Sequence, residues 1–243
     1  ADFHLGGDER ALAAMQQALS SVYATDPALA HDKSLGDIGQ GTLAVMAILD
    51  QLDPERYRPR TDAHYPDSDF GLALRQIAML IKADAGLEVA AVDHGGWDTH
   101  FVQGGSQGLM ATLLTDLAGG LAAFHADMVD QLGRVSVVVM SEFGRRLSEN
   151  GSFGTDHGHG SAMFLIGGSV DGGTIHGRWP GLAAEQLVGP GDLAVTTDYR
   201  DVLGELCVKR LGNAHLDEIF PGWQVSDQGI FVPASADFRF PSG

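Results

Sequence analysis

The sequence predicts an α/β fold, with a mainly parallel sheet covered by helices. Three observations predict it. Three short apolar runs stand out, "LEVAAV" at 87–92, "RVSVVVM" at 134–140 and "AMFLIGG" at 162–168. Their order along the chain is strand, long helix, strand, long loop, strand, which is the alternation of a helix-covered parallel sheet. The later two runs are apolar enough to need neighbours on both sides.

Taken in order, residues 8–24 ("DERALAAMQQALSSVYA") read as a helix rich in Ala and Leu, with Asp8 in position to cap it. Residues 36–52 form a second apolar-periodic segment, and 53–68 ("DPERYRPRTDAHYPDS") form a loop with three prolines. Asp69 is the expected cap of the next helix, "FGLALRQIAMLIKADA" its body and Gly86 its stop. The run 87–92 is expected to be a buried strand ending at Asp93. Residues 106–132 read as helical, eased at Gly119-Gly120, and 134–140 is the clearest strand. A loop of about 21 residues leads to the strand at 162–168, long enough to suggest a functional role. Asp198 is expected to cap a last helix running to about Leu211, with Gly212 past its end, and the chain from Pro221 onward reads as irregular.

The chain is expected to form a single α/β domain over 1–243, with a helical and loop lead-in at 1–68, a motif-bearing core at 69–223 and an irregular tail at 224–243. Its 243 residues, 44% hydrophobic and 19% charged, are ample for a core. The net charge of -17 gives no electrostatic footprint for nucleic acid or an anionic membrane. An anionic substrate would need a bound cation to offset the repulsion. One cysteine, Cys207, leaves no internal disulfide and sits on an apolar helix face, as a core residue would. No run reads as long enough to span a membrane. The start "ADFHLGGDER" has no signal-peptide pattern and no initiator Met, so the chain is expected to begin after processing or inside a longer gene product.

Of 10 histidines, four fall in two short segments, "DHGGWDTH" at 93–100 and "TDHGHG" at 155–160. Asp and His without Cys suit a divalent cation, zinc first, with manganese, magnesium or calcium as alternatives. Asp93, Asp98 and His100 lie close in sequence, and Gly95-Gly96 lets the backbone fold sharply. Asp156, His157 and His159 follow in the second segment. Asp156 and His157 cannot point the same way on a strand but can in a turn opened by Gly158. In the expected sheet both segments sit at one edge, outside the carboxyl ends of the strands, where ligands bind. Two facing clusters would form a two-metal site. Set against this, Asp and Gly are turn formers, and "DHGG" also reads as a tight turn, but the density of Asp and His and their placement at strand ends favour a site. His94 fits as a ligand, as a partner of a ligand or as a spacer. His176 is a weak candidate, and His4, His31, His64, His125 and His215 have no partner in sequence. In "SEFGRR", Arg145 suits either bidentate binding of an anion or a salt bridge that holds the loop. Glu142 would orient the substrate or the residues around the metal, and is a weak catalytic candidate.

In this order, "DHGGWDTH", "SEFGRR", "ENGSFGTDHGHG", "FLIGG" and "HGRWPGL" resemble the uncharacterised bacterial family catalogued as domain of unknown function 1501, over roughly residues 70–223. That family is grouped with the alkaline phosphatase and sulfatase superfamily. The resemblance implies an alkaline phosphatase-like fold and a metal-dependent hydrolase of phosphate or sulfate esters, with a small anionic or carbohydrate ester as substrate. It also implies export, in many members by a twin-arginine signal. Asp156-His157-Gly158 matches the superfamily's Asp-His-Gly metal motif, and His159 its later metal-binding His. The earlier Asp–His pair departs in spacing, leaving Asp93 or Asp98 as the ligand beside His100. The superfamily's nucleophile and one ligating Asp come from a first strand that has no counterpart here. The chain therefore reads as a C-terminal portion lacking its N-terminal strands, with Ser141 and Thr155 the nearest substitutes for the nucleophile. It is expected to take the missing half from a second polypeptide or to self-associate. The alternative is a metal-binding protein without turnover.

Overall fold

A computed structural model describes residues 52–232, together with Gln17, Gly41 and Ile48. The helix expected at 8–24 and the periodic segment at 36–52 otherwise lie outside the described residues. Two compact units divide the chain, Ala1–Arg58 with Arg75–Ala91 and Pro59–Leu74 with Val92–Gly243.

The first helix among the described residues, α1, runs Asp69–Lys82. Its cap is Ser68 rather than the expected Asp69. The Ser68 hydroxyl accepts the Gly71 N–H at 3.1 Å, satisfying an amide that has no partner within the helix. Beyond Lys82, Asp84 and Gly86 both take positive φ, 52° and 75°, and the chain leaves the helix there. In the first unit the Arg75 guanidinium donates to the Tyr57 carbonyl at 3.0 Å, closing the loop before the helix onto its second half.

The expected strand at 87–92 does not form. Val89 is 77% exposed, and only Val89 and Val92 in this run are β-branched. Glu88, Ala90 and Ala91 are weak strand formers, and strand preference needs a neighbour to pack on.

In the second unit, helix α2 spans Leu109–Asp127, shorter than the expected 106–132. It is long and apolar enough to cross a membrane by length and composition, with mean hydropathy 1.3, which corrects the expectation that no run is. Part of one side of it is packed, at Gly120, Ala123, Phe124 and Asp127. Gly120 lies against the Phe70 ring, where a Cβ would stand 2.5 Å from the nearest ring carbon. Asp127, at the end of α2, is 1% exposed. It accepts the Arg60 N–H and the Tyr65 hydroxyl, both at 2.9 Å.

Four strands follow: β1 Ser136–Val139, β2 Gly144–Glu149, β3 Thr155–Gly158 and β4 Phe164–Gly167. They form two separate two-stranded antiparallel sheets, β1 with β4 and β2 with β3. The expected parallel, helix-covered sheet of alkaline phosphatase type is therefore wrong for the described residues. A parallel pair needs a crossover of a dozen or more residues, which the 150–154 turn between β2 and β3 is far too short to supply; β1 and β4, separated by residues 140–163, also pair antiparallel. The long loop expected between the second and third strands holds the β2–β3 hairpin. Asn150-Gly151 at its turn is the dipeptide that favours hairpins. Register runs Arg145↔His157 and then Glu149↔Thr155, so β2 bulges between them.

Helix α3, Tyr199–Lys209, is capped as expected, with the Asp198 carboxylate accepting the Arg200 N–H. Gly212 follows at φ 65°. A short helix α4, Leu216–Ile219, closes the helical part. The irregular chain after it is tied back to α3. Buried Glu205 accepts the Phe231 N–H at 2.7 Å and the Gln228 N–H at 2.9 Å, and Asp201 accepts the Trp223 indole N–H at 2.9 Å. Val202, Ile230 and Phe231 form the core there, with Leu165 of β4 packed against it.

Candidate metal centre

The hairpin and the segment 97–103 build the site together. Glycine 154 makes their approach possible, because a Cβ there would stand 2.3 Å from the His100 carbonyl carbon and oxygen. Two backbone bonds join the segments, from Val102 N–H to Ser152 O at 3.0 Å and from Gln103 N–H to Phe153 O at 2.9 Å. Val102 and Phe153 both hold left-handed φ, 44° and 59°. That conformation is uncommon for any side chain and an outlier for a β-branched one. Below them the Gln103 side-chain oxygen accepts both the Thr99 hydroxyl, at 2.9 Å, and the Thr155 hydroxyl, at 2.7 Å. The Arg145 guanidinium donates to the carbonyls of Thr155 and Trp97, so it braces the loop against β3.

These contacts bring Asp98, His100 and His157 together, with one donor atom from each within 4.8 Å of the others. Asp98 Oδ1 lies 2.7 Å from His157 Nε2 and 3.0 Å from His100 Nε2. The His157 ring stacks on Phe143 at 4.0 Å between centroids, and the Arg145 guanidinium carbon lies 4.8 Å from the centroid of the Phe143 ring. The Asp98 carboxyl is held below its ordinary range, first by the hydrogen bond with His157. Asp98 is 65% exposed, so the cluster opens to solvent.

Asp156 does not join these three donors. Its Oδ1 lies 3.1 Å from His100 Nδ1, at the other ring nitrogen, and it accepts the Asn150 amide N–H at 3.0 Å. Its carboxyl is also held low, first by the Asn150 bond and then by His100. His100 thus has a carboxylate oxygen at both ring nitrogens. A neutral imidazole has one N–H, so this arrangement asks for either a second proton or a cation at one nitrogen. Two imidazoles and a carboxylate with an open side match the donor set of a zinc site that keeps a free position.

The other expected ligands fall elsewhere. Asp93 is exposed and outside the cluster. His159 pairs with Asp192, Nδ1 to Oδ2 at 2.6 Å, and the Asp192 side chain is 3% exposed. Arg146 lies between the two groups, 3.5 Å from Asp156 Oδ2 and 3.5 Å from Asp192 Oδ1. His94 is a packed residue, with Nε2 2.9 Å from Asp116 and its ring 4.6 Å from that of Phe70. His176 reaches only the Asp171 carbonyl, at 3.3 Å. Glu142 is exposed. The Ser141 hydroxyl donates to the Phe143 carbonyl at 2.9 Å, and the Thr155 hydroxyl is taken by Gln103.

Asn150, Gln103 and Asp192 are the residues that sequence reasoning missed. Asn150 had a signal, the Asn-Gly turn dipeptide six residues before Asp156. Nothing in sequence links Gln103 or Asp192 to the site.

A family model described as "Protein of unknown function (DUF1501)" matches residues 9–204. No curated protein and no solved structure matches the chain.

Proposed function

Since the chain belongs to the family described as Protein of unknown function (DUF1501), we propose that it is a divalent-cation-dependent hydrolase of phosphate or sulfate esters, with zinc the best-suited ion. The functional part of the superfamily resemblance supports this reading, together with the Asp-His-Gly motif at 156–158. The fold part of that resemblance does not hold, because the described strands pair only antiparallel. The observation that carries the proposal is the convergence of Asp98, His100 and His157 within 4.8 Å. Those three residues would hold the ion. When bound, it supplies Lewis acidity toward an ester oxygen. The chain's own residues do the rest. Asp98 brings the charge that offsets the cation, and Phe143 and the Arg145 brace hold the His157 ring in place. With a net charge of -17 the chain repels an anionic ester except where a cation is held.

A second reading, a metal-binding protein without turnover, is favoured by one observation. The hydroxyls of Ser141 and Thr155 are spent on Phe143 and Gln103, and neither bonds to a base. The same experiment separates the two readings. Protein purified without chelator is analysed for divalent metal beside Asp98→Asn and His157→Ala, and all three are assayed on aryl phosphates and aryl sulfates. Bound metal that both variants lose, with ester turnover lost alongside, supports the hydrolase. Bound metal without turnover selects the second reading. Equal metal in parent and variants refutes both.

A further inference from the structure

We propose that Asn150 and Asp156 are positioning residues for His100, fixing its imidazole so that Nε2 faces Asp98 and His157. This rests on the cluster proposed above, but it assigns Asp156 a different role from ligand. The two ring nitrogens of an imidazole point away from each other across the ring. Nε2 of His100 lies 3.0 Å from Asp98 Oδ1, and Nδ1 lies 3.1 Å from Asp156 Oδ1. An ion held at Nε2 is therefore out of reach of the carboxylate at Nδ1. What that carboxylate does is accept the Nδ1–H, which leaves the Nε2 lone pair for an ion held beside Asp98 and His157. A histidine that binds metal commonly has its second nitrogen held in this way.

Asn150 holds the carboxylate in turn. Its amide nitrogen donates to both Asp156 Oδ1 and the His100 carbonyl, each at 3.0 Å. Its amide oxygen accepts the Ser152 N–H at 2.9 Å and the Gly154 N–H at 3.1 Å. One side chain at the hairpin turn therefore sets the turn, the carboxylate and the backbone of the histidine together. Aspartate cannot replace it, because a carboxylate would accept from the turn but could not donate to Asp156 or to the carbonyl.

The test uses the full chain and two readouts. Zinc affinity is measured by competition with a chromophoric chelator for the parent, Asn150→Ala, Asp156→Ala and Asp156→Asn. Loss of an outer partner of a ligating histidine weakens metal binding by about 10–100-fold. We expect a loss in that range for Asn150→Ala and Asp156→Ala, a smaller one for Asp156→Asn, and an unchanged number of ions per chain. A lost ion in Asp156→Ala would make Asp156 a ligand and overturn the proposal, as would unchanged affinity. The second readout is the His100 tautomer in the metal-free chain, read from long-range nitrogen–proton correlations and assigned with His100→Gln. The parent is expected to carry a proton on Nδ1, whether or not Nε2 carries one as well, and Asp156→Ala to keep a proton on Nε2 alone, facing Asp98. A proton still on Nδ1 in Asp156→Ala overturns the proposal. Should the parent bind no zinc, the metal reading fails while the tautomer still decides this one. Should Asn150→Ala fail to fold, the Asp156 variants carry the test.

Discussion

At the scale of single residues, two aspartates of one short segment have opposite fates. Asp98 lies between two imidazoles, whereas Asp93 is exposed and outside the cluster. Asp98→Asn is expected to lower divalent-metal content sharply and Asp93→Asn to leave it unchanged, as measured by elemental analysis of matched preparations. Asp198 offers a pH test away from the metal. Its carboxyl is held below the usual range, first by the side-chain bond from Arg200. The sign follows from which state binds the proton more readily. The unfolded chain protonates Asp198 near the ordinary value of about 3.9, and the folded chain only at lower pH. The cap's contribution is thus complete above about pH 4 and lost as pH falls through the depressed folded value. Asp198→Ala is expected to cost about 1 kcal/mol at neutral pH. In urea unfolding, the gap between parent and variant should close in acid below the ordinary carboxylate range.

At the scale of elements, glycines mark where segments meet. In α2, a Cβ at Gly120 would stand 2.5 Å from a Phe70 ring carbon, whereas at Gly119 the nearest atom is Pro66 Cγ at 3.3 Å. Alanine favours a helix interior over glycine by about 1 kcal/mol, but overpacking costs about 1–3 kcal/mol. Gly120→Ala should therefore destabilise, and Gly119→Ala should be near neutral or stabilising, in denaturant unfolding. Gly154 is a harsher case, because the atoms in the way belong to the backbone of Thr99 and His100 and have no rotamer to yield. Gly154→Ala is expected to part the 97–103 segment from the hairpin. The measurable result is a chain that keeps its helical circular dichroism but binds divalent metal much more weakly.

At the scale of the whole molecule, a cation that binds only the folded chain stabilises it by mass action, about 2.7 kcal/mol at a hundredfold excess over Kd. Added zinc should therefore raise Tm, and a chelator should lower it. With a net charge of -17, any salt also relieves self-repulsion. The specific effect is what remains against sodium chloride at matched ionic strength, and it should be absent in His157→Ala. A Tm rise that His157→Ala shares in full would assign the whole effect to screening.

By itself the sequence determined the local features. The α1 body, the Asp198 cap of α3, the position of two strands within 134–140 and 162–168, and the two Asp/His segments were all legible, because each rests on periodicity, capping chemistry or residue type within a few positions. The family was legible too, from motif order. Pairing was not. Whether an apolar run such as 134–140 lies beside a parallel or an antiparallel neighbour depends on contacts distant in sequence; here the Asn150-Gly151 turn makes β2 and β3 an antiparallel hairpin, while β1 takes β4 as its antiparallel partner across residues 140–163. The same holds in the candidate site. Residue type marked Asp98, His100, Asp156, His157 and His159 alike. Only the tertiary structure separated them, placing Asp156 behind His100 and His159 on Asp192, because which ring nitrogen a carboxylate meets is set by how the hairpin docks on the 97–103 segment.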